Sequence, residues 1–196
     1  MDRFQNTRQP DWDWWGKLWP TPGATLRKCG LSSGHTLAEV GSGNGYFALP
    51  AARIVDPAPV YAVDVDPSLL EALAHLADQQ NIKNIETVAG DARSLTDHLP
   101  EPVDVCLVAN AFHGIEASET FVTEAVSALA ADGRLVVINW QDRPREETTI
   151  AGKPRGPPAD LRLAPSTCRE RIESAADITL AEQFVLPPYH YALVFE

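Results

Sequence analysis

Along the middle of the chain, from about residue 37 to residue 140, short apolar runs alternate with segments whose apolar residues recur at helical spacing. Residues 35–40 are β-rich and run into Gly41-Ser42-Gly43-Asn44-Gly45. Residues 46–55 have helical composition, with Pro50 tolerable only in a first turn. A second strand is expected over 60–64, after which Asp66 suits an N-cap and Pro67 the first helical position. Leu69, Leu73 and Leu76 follow at i, i+4 and i+7, which predicts one buried helical face. Strands are expected over 84–88 and 103–109. A helix over 117–130 would carry Phe121, Val122, Ala125, Val126 and Leu129 on one side, stop at Asp132-Gly133 and lead into a fifth strand over 134–140. This alternation implies βαβ units and a parallel sheet.

Both ends depart from that rhythm. Residues 1–22 are polar apart from Trp12, Trp14, Trp15 and Trp19. They read as a separate segment ahead of a 23–196 domain: either a short helix packed on it or part of a lid over a ligand. Residues 141–165 carry five prolines and two glycines and read as a long loop insertion. After a helix near 166–175, apolar runs over 178–186 and 189–195 flank Pro187-Pro188. A connection that short joins only antiparallel neighbours. The expected fold is α/β and doubly wound, a mostly parallel seven-stranded sheet with an antiparallel hairpin strand at its C-terminal end.

Charge and cysteine content narrow the class. Sixteen Lys and Arg against twenty-seven Asp and Glu leave a net charge of −11, which argues against wrapping nucleic acid or docking on an anionic membrane. Cys29, Cys106 and Cys168 form no C-x-x-C pair, which points to a reducing compartment and away from a disulfide framework or a zinc site. No stretch approaches the ~20 apolar residues of a membrane span. The start, Met1-Asp2-Arg3-Phe4-Gln5-Asn6, lacks a signal-peptide core. The expectation is a soluble, cytoplasmic protein without a metal.

The candidate chemistry centres on Glu39-Val40-Gly41-Ser42-Gly43-Asn44-Gly45. Glycines between a strand and a helix let the backbone turn sharply and approach a ligand, and the helix start offers free N–H groups. A dinucleotide fingerprint needs a third glycine at the position of Tyr46, and a P-loop needs a following Gly-Lys-Ser/Thr; neither is present. Glu39 beside the loop would repel pyrophosphate and suits a cationic ligand. Asp64, nineteen residues after Gly45, is placed to accept from ribose hydroxyls. Asp91, in Gly90-Asp91-Ala92, is placed to accept from an adenine amino group.

These residues resemble the class I, Rossmann-like S-adenosylmethionine-dependent methyltransferases over roughly residue 24 to the C-terminus. The motifs occur in order, with Asp104 and Asn110 around strand four. Leu129-Ala130-Ala131-Asp132-Gly133-Arg134-Leu135 stands where the family has Leu-x-Pro-Gly-Gly-x-Leu, and the Pro187-Pro188 hairpin matches its reversed last strand. The resemblance implies S-adenosylmethionine as cofactor. Gly41, Ser42, Gly43 and Gly45 would lie along its methionine part, and Glu39 would hold the amino group. Asp64 would take the ribose, Val65 would lie under the adenine, and Asp91 with Ala92 would read its edge. Asn110 would stand at the border with the methyl acceptor.

Methyl transfer needs alignment above all, and a base only where the nucleophile must lose a proton. His113 falls at the expected substrate mouth and is the candidate base, while His190, inside the apolar last strand, reads as structural. The Asn-Pro-Pro-Tyr/Phe motif of amino-methylating nucleic-acid enzymes is absent after strand four, which with the acidic charge favours a small-molecule acceptor. A catalytically silent cofactor-binding or partner protein of the same fold is the alternative. An NAD(P)-binding oxidoreductase is disfavoured by Tyr46 and the terminal hairpin. The oligomeric state is open.

Overall fold

The computed structural model describes residues 12–196, and side chains from Trp14 onward. Seven strands form one sheet: β1 (Leu37–Val40), β2 (Val60–Asp64), β3 (Ile85–Ala89), β4 (Val103–Ala109), β5 (Leu129–Trp140), and the C-terminal pair β8 (Leu180–Leu186) and β9 (His190–Phe195). Their order is β3-β2-β1-β4-β5-β9-β8. The first five run parallel, while β9 pairs antiparallel with both β5 and β8. The expected seven-stranded architecture with a reversed hairpin is therefore present. The strand order reverses between β1 and β4, so the crevice at their carboxyl ends is where this kind of sheet takes ligands.

Central strands are apolar on both faces because helices cover both. Alternate residues sort into two cores. Leu37, Ala62, Leu107, Ile138 and Val194 face α1 (Trp12–Leu18), α2 (Pro22–Lys28), α3 (Ala48–Val55) and α4 (Pro67–Gln79). Ala38, Val63, Cys106, Val137 and Leu193 face α5 (Ser118–Ser127) and α6 (Pro165–Ala175).

Several boundaries differ from the sequence pattern. Asp66 caps α4 as expected, accepting from the Ser68 amide at 2.9 Å. The buried line of α4 is Leu70, Leu73 and Ala77 rather than Leu69, Leu73 and Leu76: Leu73 stays at its centre, against Gly45, and the helix turns Leu70 and Ala77 inward on either side of it. Leu69 and Leu76 flank that line, half-buried. Helix α5 ends at Ser127, short of 130, and β5 begins at Leu129, because Leu129 pairs with Val103 across a register break that takes up the following residues. The third strand is shifted one residue, and α3 starts after the glycine loop has finished turning.

The 141–165 insertion carries a small hairpin, β6 (Thr149–Ile150) and β7 (Lys153–Pro154). Arg162 ties it together, donating to Thr148 Oγ1 at 2.9 Å, the Arg155 carbonyl at 3.0 Å and the Pro157 carbonyl at 3.2 Å.

Of the N-terminal segment expected over 1–22, residues 1–11 and the Trp12 ring lie outside the described residues. Trp14, Trp15 and Trp19 are buried in the core on the α2–α3 side. Trp15 meets Trp14, Trp19 and Tyr46 edge-on at 5.3, 6.4 and 5.9 Å. Large-to-small changes of buried aromatics cost about 3–5 kcal/mol, so Trp15→Ala is expected to lose that much in denaturant unfolding. A loss below about 1 kcal/mol would show that the ring covers the domain without belonging to its core.

Candidate functional site

Strand β1 delivers Glu39 and then the glycine loop to the carboxyl edge of the sheet. Gly41 and Gly45 have φ of 69° and 91°, in the left-handed region. A Cβ on Gly41 would stand 3.0 Å from that of Ala111, and one on Gly45 would stand 2.8 Å from the Leu73 side chain. The loop thus lies tight against both α4 and the segment after β4. Asp64 clasps it: one carboxylate oxygen accepts from the Gly43 amide at 2.8 Å and the other from the Asp66 amide at 2.9 Å. Each oxygen keeps a further lone pair, so the same carboxylate can still accept from hydroxyls of a ligand.

Buried polar groups without partners gather beside this clasp. Glu39 is only 2% exposed and its Oε2 has no hydrogen-bond partner. Burial, and secondarily the charge of Asp64, push its pKa well above the ordinary carboxylate range. Ser42 Oγ and both side-chain polar atoms of Asn110 are likewise unpartnered. Asn110 has φ 59°, a conformation costly for residues other than glycine, in which asparagine is the common exception. Such groups are expensive to bury unpaired.

The remaining expected positions divide. Val65 follows β2, half-buried. Asp91 starts the 3-10 turn that contains Ala92, but Arg93 already occupies its carboxylate, with Nη2 at 2.6 Å and Nε at 3.0 and 3.1 Å. That guanidinium holds Asp91 below the usual range. Asp104 lies at the opposite, amino end of the sheet, accepting from the Thr36 amide and hydroxyl at 2.7 and 2.9 Å. It is a structural clamp, remote from the loop.

His113, in the turn Phe112–Gly114, places Nδ1 2.9 Å from Asn139 Oδ1. An amide oxygen only accepts, so Nδ1 carries the proton and Nε2 presents a lone pair. Burial lowers the His113 pKa; the Asn139 bond opposes this and the Arg162 charge adds to it. Neutral imidazole is therefore favoured near pH 7. Among the described residues no group of three or more His, Cys, Asp or Glu is placed to hold a metal ion.

Residues 38–137, about half of the chain, match the family model described as Methyltransferase domain. The chain belongs to this family, the class I S-adenosylmethionine-dependent methyltransferases. It is 26% identical over 113 residues to the probable cobalt-precorrin-6B C(15)-methyltransferase (decarboxylating) of Sulfolobus acidocaldarius and spans 57% of that protein. A crystal structure of a SAM-dependent methyltransferase from Aquifex aeolicus superposes with a TM-score of 0.77 at 22% identity, over 89% of this chain and 88% of the other. The mitomycin 7-O-methyltransferase MmcR superposes at 0.71 and 16% identity, over 92% of this chain and 54% of its own. At these identities the superpositions speak for the fold.

S-adenosylmethionine is the cofactor of this methyltransferase fold, and the orphaned groups fit it. An amino-acid end carries an ammonium and a carboxylate. Glu39 offers an acceptor for the first, the Ser42 hydroxyl a donor for the second, and Asn110 one of each. Sequence pattern gives no sign of Asn139 or Arg162 as members of this rim; the one signal is a polar residue near the end of the apolar run 135–140.

Two predictions follow from the loop. Protonation of Glu39 is favoured in the free fold, whose stability therefore falls as pH rises from the ordinary glutamate pKa toward the raised one. Glu39→Gln should remove that pH dependence and raise the melting temperature near pH 7, while weakening S-adenosylhomocysteine binding by about 1.5–3 kcal/mol for a lost charged hydrogen bond. Equal or tighter binding by Glu39→Gln would mean that no ammonium meets this group. Second, Asp64→Ala should weaken the same ligand by about 1.5–3 kcal/mol, whereas Asp66→Ala should cost about 1 kcal/mol of stability and spare affinity. Calorimetry and denaturant melts on both variants decide it; exchanged phenotypes would reassign the ribose acid.

Proposed function

We propose that this protein transfers the methyl group of S-adenosylmethionine to a small-molecule acceptor. The observation that carries the reading is the buried Glu39 carboxyl, its Oε2 unpartnered, at the entry to a glycine loop clasped by Asp64, together with the unpartnered side chains of Ser42 and Asn110. When bound, the cofactor supplies a methyl group on a cationic sulfur. The chain supplies alignment, exclusion of water and, at His113 Nε2, a site for the acceptor's proton.

Glu39 and Asn110 hold the amino-acid end, Gly41, Ser42, Gly43 and Gly45 shape its cradle, and Asp64 accepts from the ribose. Val65 supports the adenine, whose edge is read by Ala92 and by Asp91, the latter shared with Arg93.

A small acceptor is favoured by the roof over β5 and β9. Arg155 lies 4.8 Å over the Trp14 ring, and Tyr189 donates to the Thr149 carbonyl at 3.0 Å, so α1 and the 141–165 insertion meet above the carboxyl ends. In this reading Trp14, Trp15 and Trp19, the described part of the Trp-rich segment, serve as cover of the site as well as part of the core. Net charge of −11 disfavours a nucleic-acid substrate, and the Sulfolobus protein is named for cobalt-precorrin. Cys29, Cys106 and Cys168 are buried and form no disulfide, which supports a cytoplasmic, reducing setting. Among the described residues no helix is long and apolar enough to cross a membrane.

Calorimetric titration is expected to show binding of S-adenosylmethionine and S-adenosylhomocysteine and none of NAD or NADP. Turnover is expected with members of a small-molecule panel and not with tRNA or DNA. Cofactor binding without consumption by any acceptor would instead identify a silent binding protein. Once an acceptor is in hand, His113→Asn should lower kcat by about 100-fold or more with little change in cofactor affinity. An unchanged kcat would show that the acceptor reacts without a base.

A further inference from the structure

Beyond the cofactor loop, a second set of unpartnered polar groups lies at the same edge of the sheet, two strands away. His190, the first residue of β9, pairs with Trp140, the last of β5. Its ring is fully buried between Trp19, 4.5 Å away, and Trp140, 4.2 Å away, and neither ring nitrogen has a partner. Trp19 is buried with its indole N–H unpartnered. On the Trp140 ring, at 5.2 Å, rests the guanidinium of Arg162, which is 5% exposed; its Nη1 is unpartnered although its other nitrogens bind the insertion.

A neutral imidazole offers one donor and one acceptor, an indole one donor, and Nη1 two. Natural cores satisfy such groups, and four orphaned nitrogens on three neighbouring side chains are unlike ordinary packing. Their excess of donors, with a single formal positive charge, calls for an acceptor-rich partner of one negative charge. A carboxylate meets that description: one oxygen can accept from Arg162 Nη1, the guanidinium nitrogen left without a partner, and the other from the imidazole or indole N–H. A phosphate dianion would leave one charge uncompensated. Desolvation, aided by the charge of Arg162, keeps His190 neutral, so the imidazole enters as a hydrogen-bonding group.

We propose that Arg162, His190 and Trp19 form a carboxylate-binding site for the methyl acceptor, over the ends of β5 and β9. The proposal rests on the methyltransferase reading and names the acceptor class for it. The acceptor is an organic acid whose carboxylate is held at Arg162 and His190 while its nucleophilic atom faces His113 and the cofactor side. Arg162 binds backbone carbonyls of its own insertion, so it travels with that segment, and lifting the insertion opens the site.

The test titrates benzoate and indole-3-acetate, and as neutral controls benzamide and indole-3-acetamide, into the full chain with and without S-adenosylhomocysteine. Arg162 is kept, because it also holds the insertion; the variants are Trp19→Phe and His190→Phe, which retain aromatic bulk and remove the N–H groups. In the wild type at least one acid should bind about tenfold or more tightly than its amide. Both variants should lose that preference, and His190→Phe should melt no lower than wild type. Equal binding of acids and amides, no binding of the acids, or an intact preference in both variants overturns the site. S-adenosylhomocysteine binding without acid preference defeats this site alone, whereas failure of S-adenosylhomocysteine to bind defeats the methyltransferase reading beneath it.

Discussion

One carboxylate, that of Asp64, bridges the Gly43 amide at 2.8 Å and the Asp66 amide at 2.9 Å. It joins the loop after β1 to the start of α4, so that Gly45 can lie on Leu73 and Gly41 on Ala111. With the loop fixed, the carboxyl ends of β1, β2 and β4 present a single polar edge. The strand reversal between β1 and β4 opens the crevice that this edge lines. The clasp adds to the backbone bonds that Gly41 and Ser42 donate to the Val63 carbonyl and Gly45 to the Ser42 carbonyl, and together they hold glycines, chosen for conformational freedom, in one conformation.

That edge is built against stability. Glu39, Ser42, Asn110 and His190 are buried or nearly so with polar atoms unmatched, and Asn110 adds a left-handed backbone. Cores elsewhere in the chain are apolar and alternate cleanly between the two faces. Local rules broken together, at one end of one sheet, mark the place where binding takes precedence over packing. The orphaned groups form two sets, one over β1 and β4 with an amino-acid character, the other over β5 and β9 with an excess of donors. His113 and Asn139 stand between them.

The parts legible in the sequence were those governed by local chemistry. A glycine loop after an apolar run, an Asp-Pro helix start and a Pro-Pro link between apolar runs each have one good structural solution. The Asp66 cap, the reversed hairpin and the position of Asp64 at the end of its strand were readable for that reason; the bond of Asp64 to the Gly43 amide was not. What depends on tertiary phase was not. The buried line of α4 keeps Leu73 but takes Leu70 and Ala77 in place of Leu69 and Leu76, and β5 gains its first turn-like residues only through pairing with Val103. The pairing of Asp91 with Arg93, two residues apart, leaves no pattern at all. Arg162 reads as one more cation in a proline-rich insertion until the fold sets it on Trp140. The Trp cluster announced burial but not its neighbours, Tyr46 and Phe47, which bind the N-terminal helix to the cofactor loop.

The central claim is that the Glu39 carboxyl and the Asp64 clasp exist to hold the two ends of one cofactor. A crystal structure with S-adenosylhomocysteine tests it most directly. The ligand's amino group is expected within hydrogen-bond distance of Glu39, its ribose hydroxyls on Asp64, and its sulfur facing the opening between Asn110 and His113. A ligand bound elsewhere, or bound in the crevice with Glu39 still unpartnered, would contradict it.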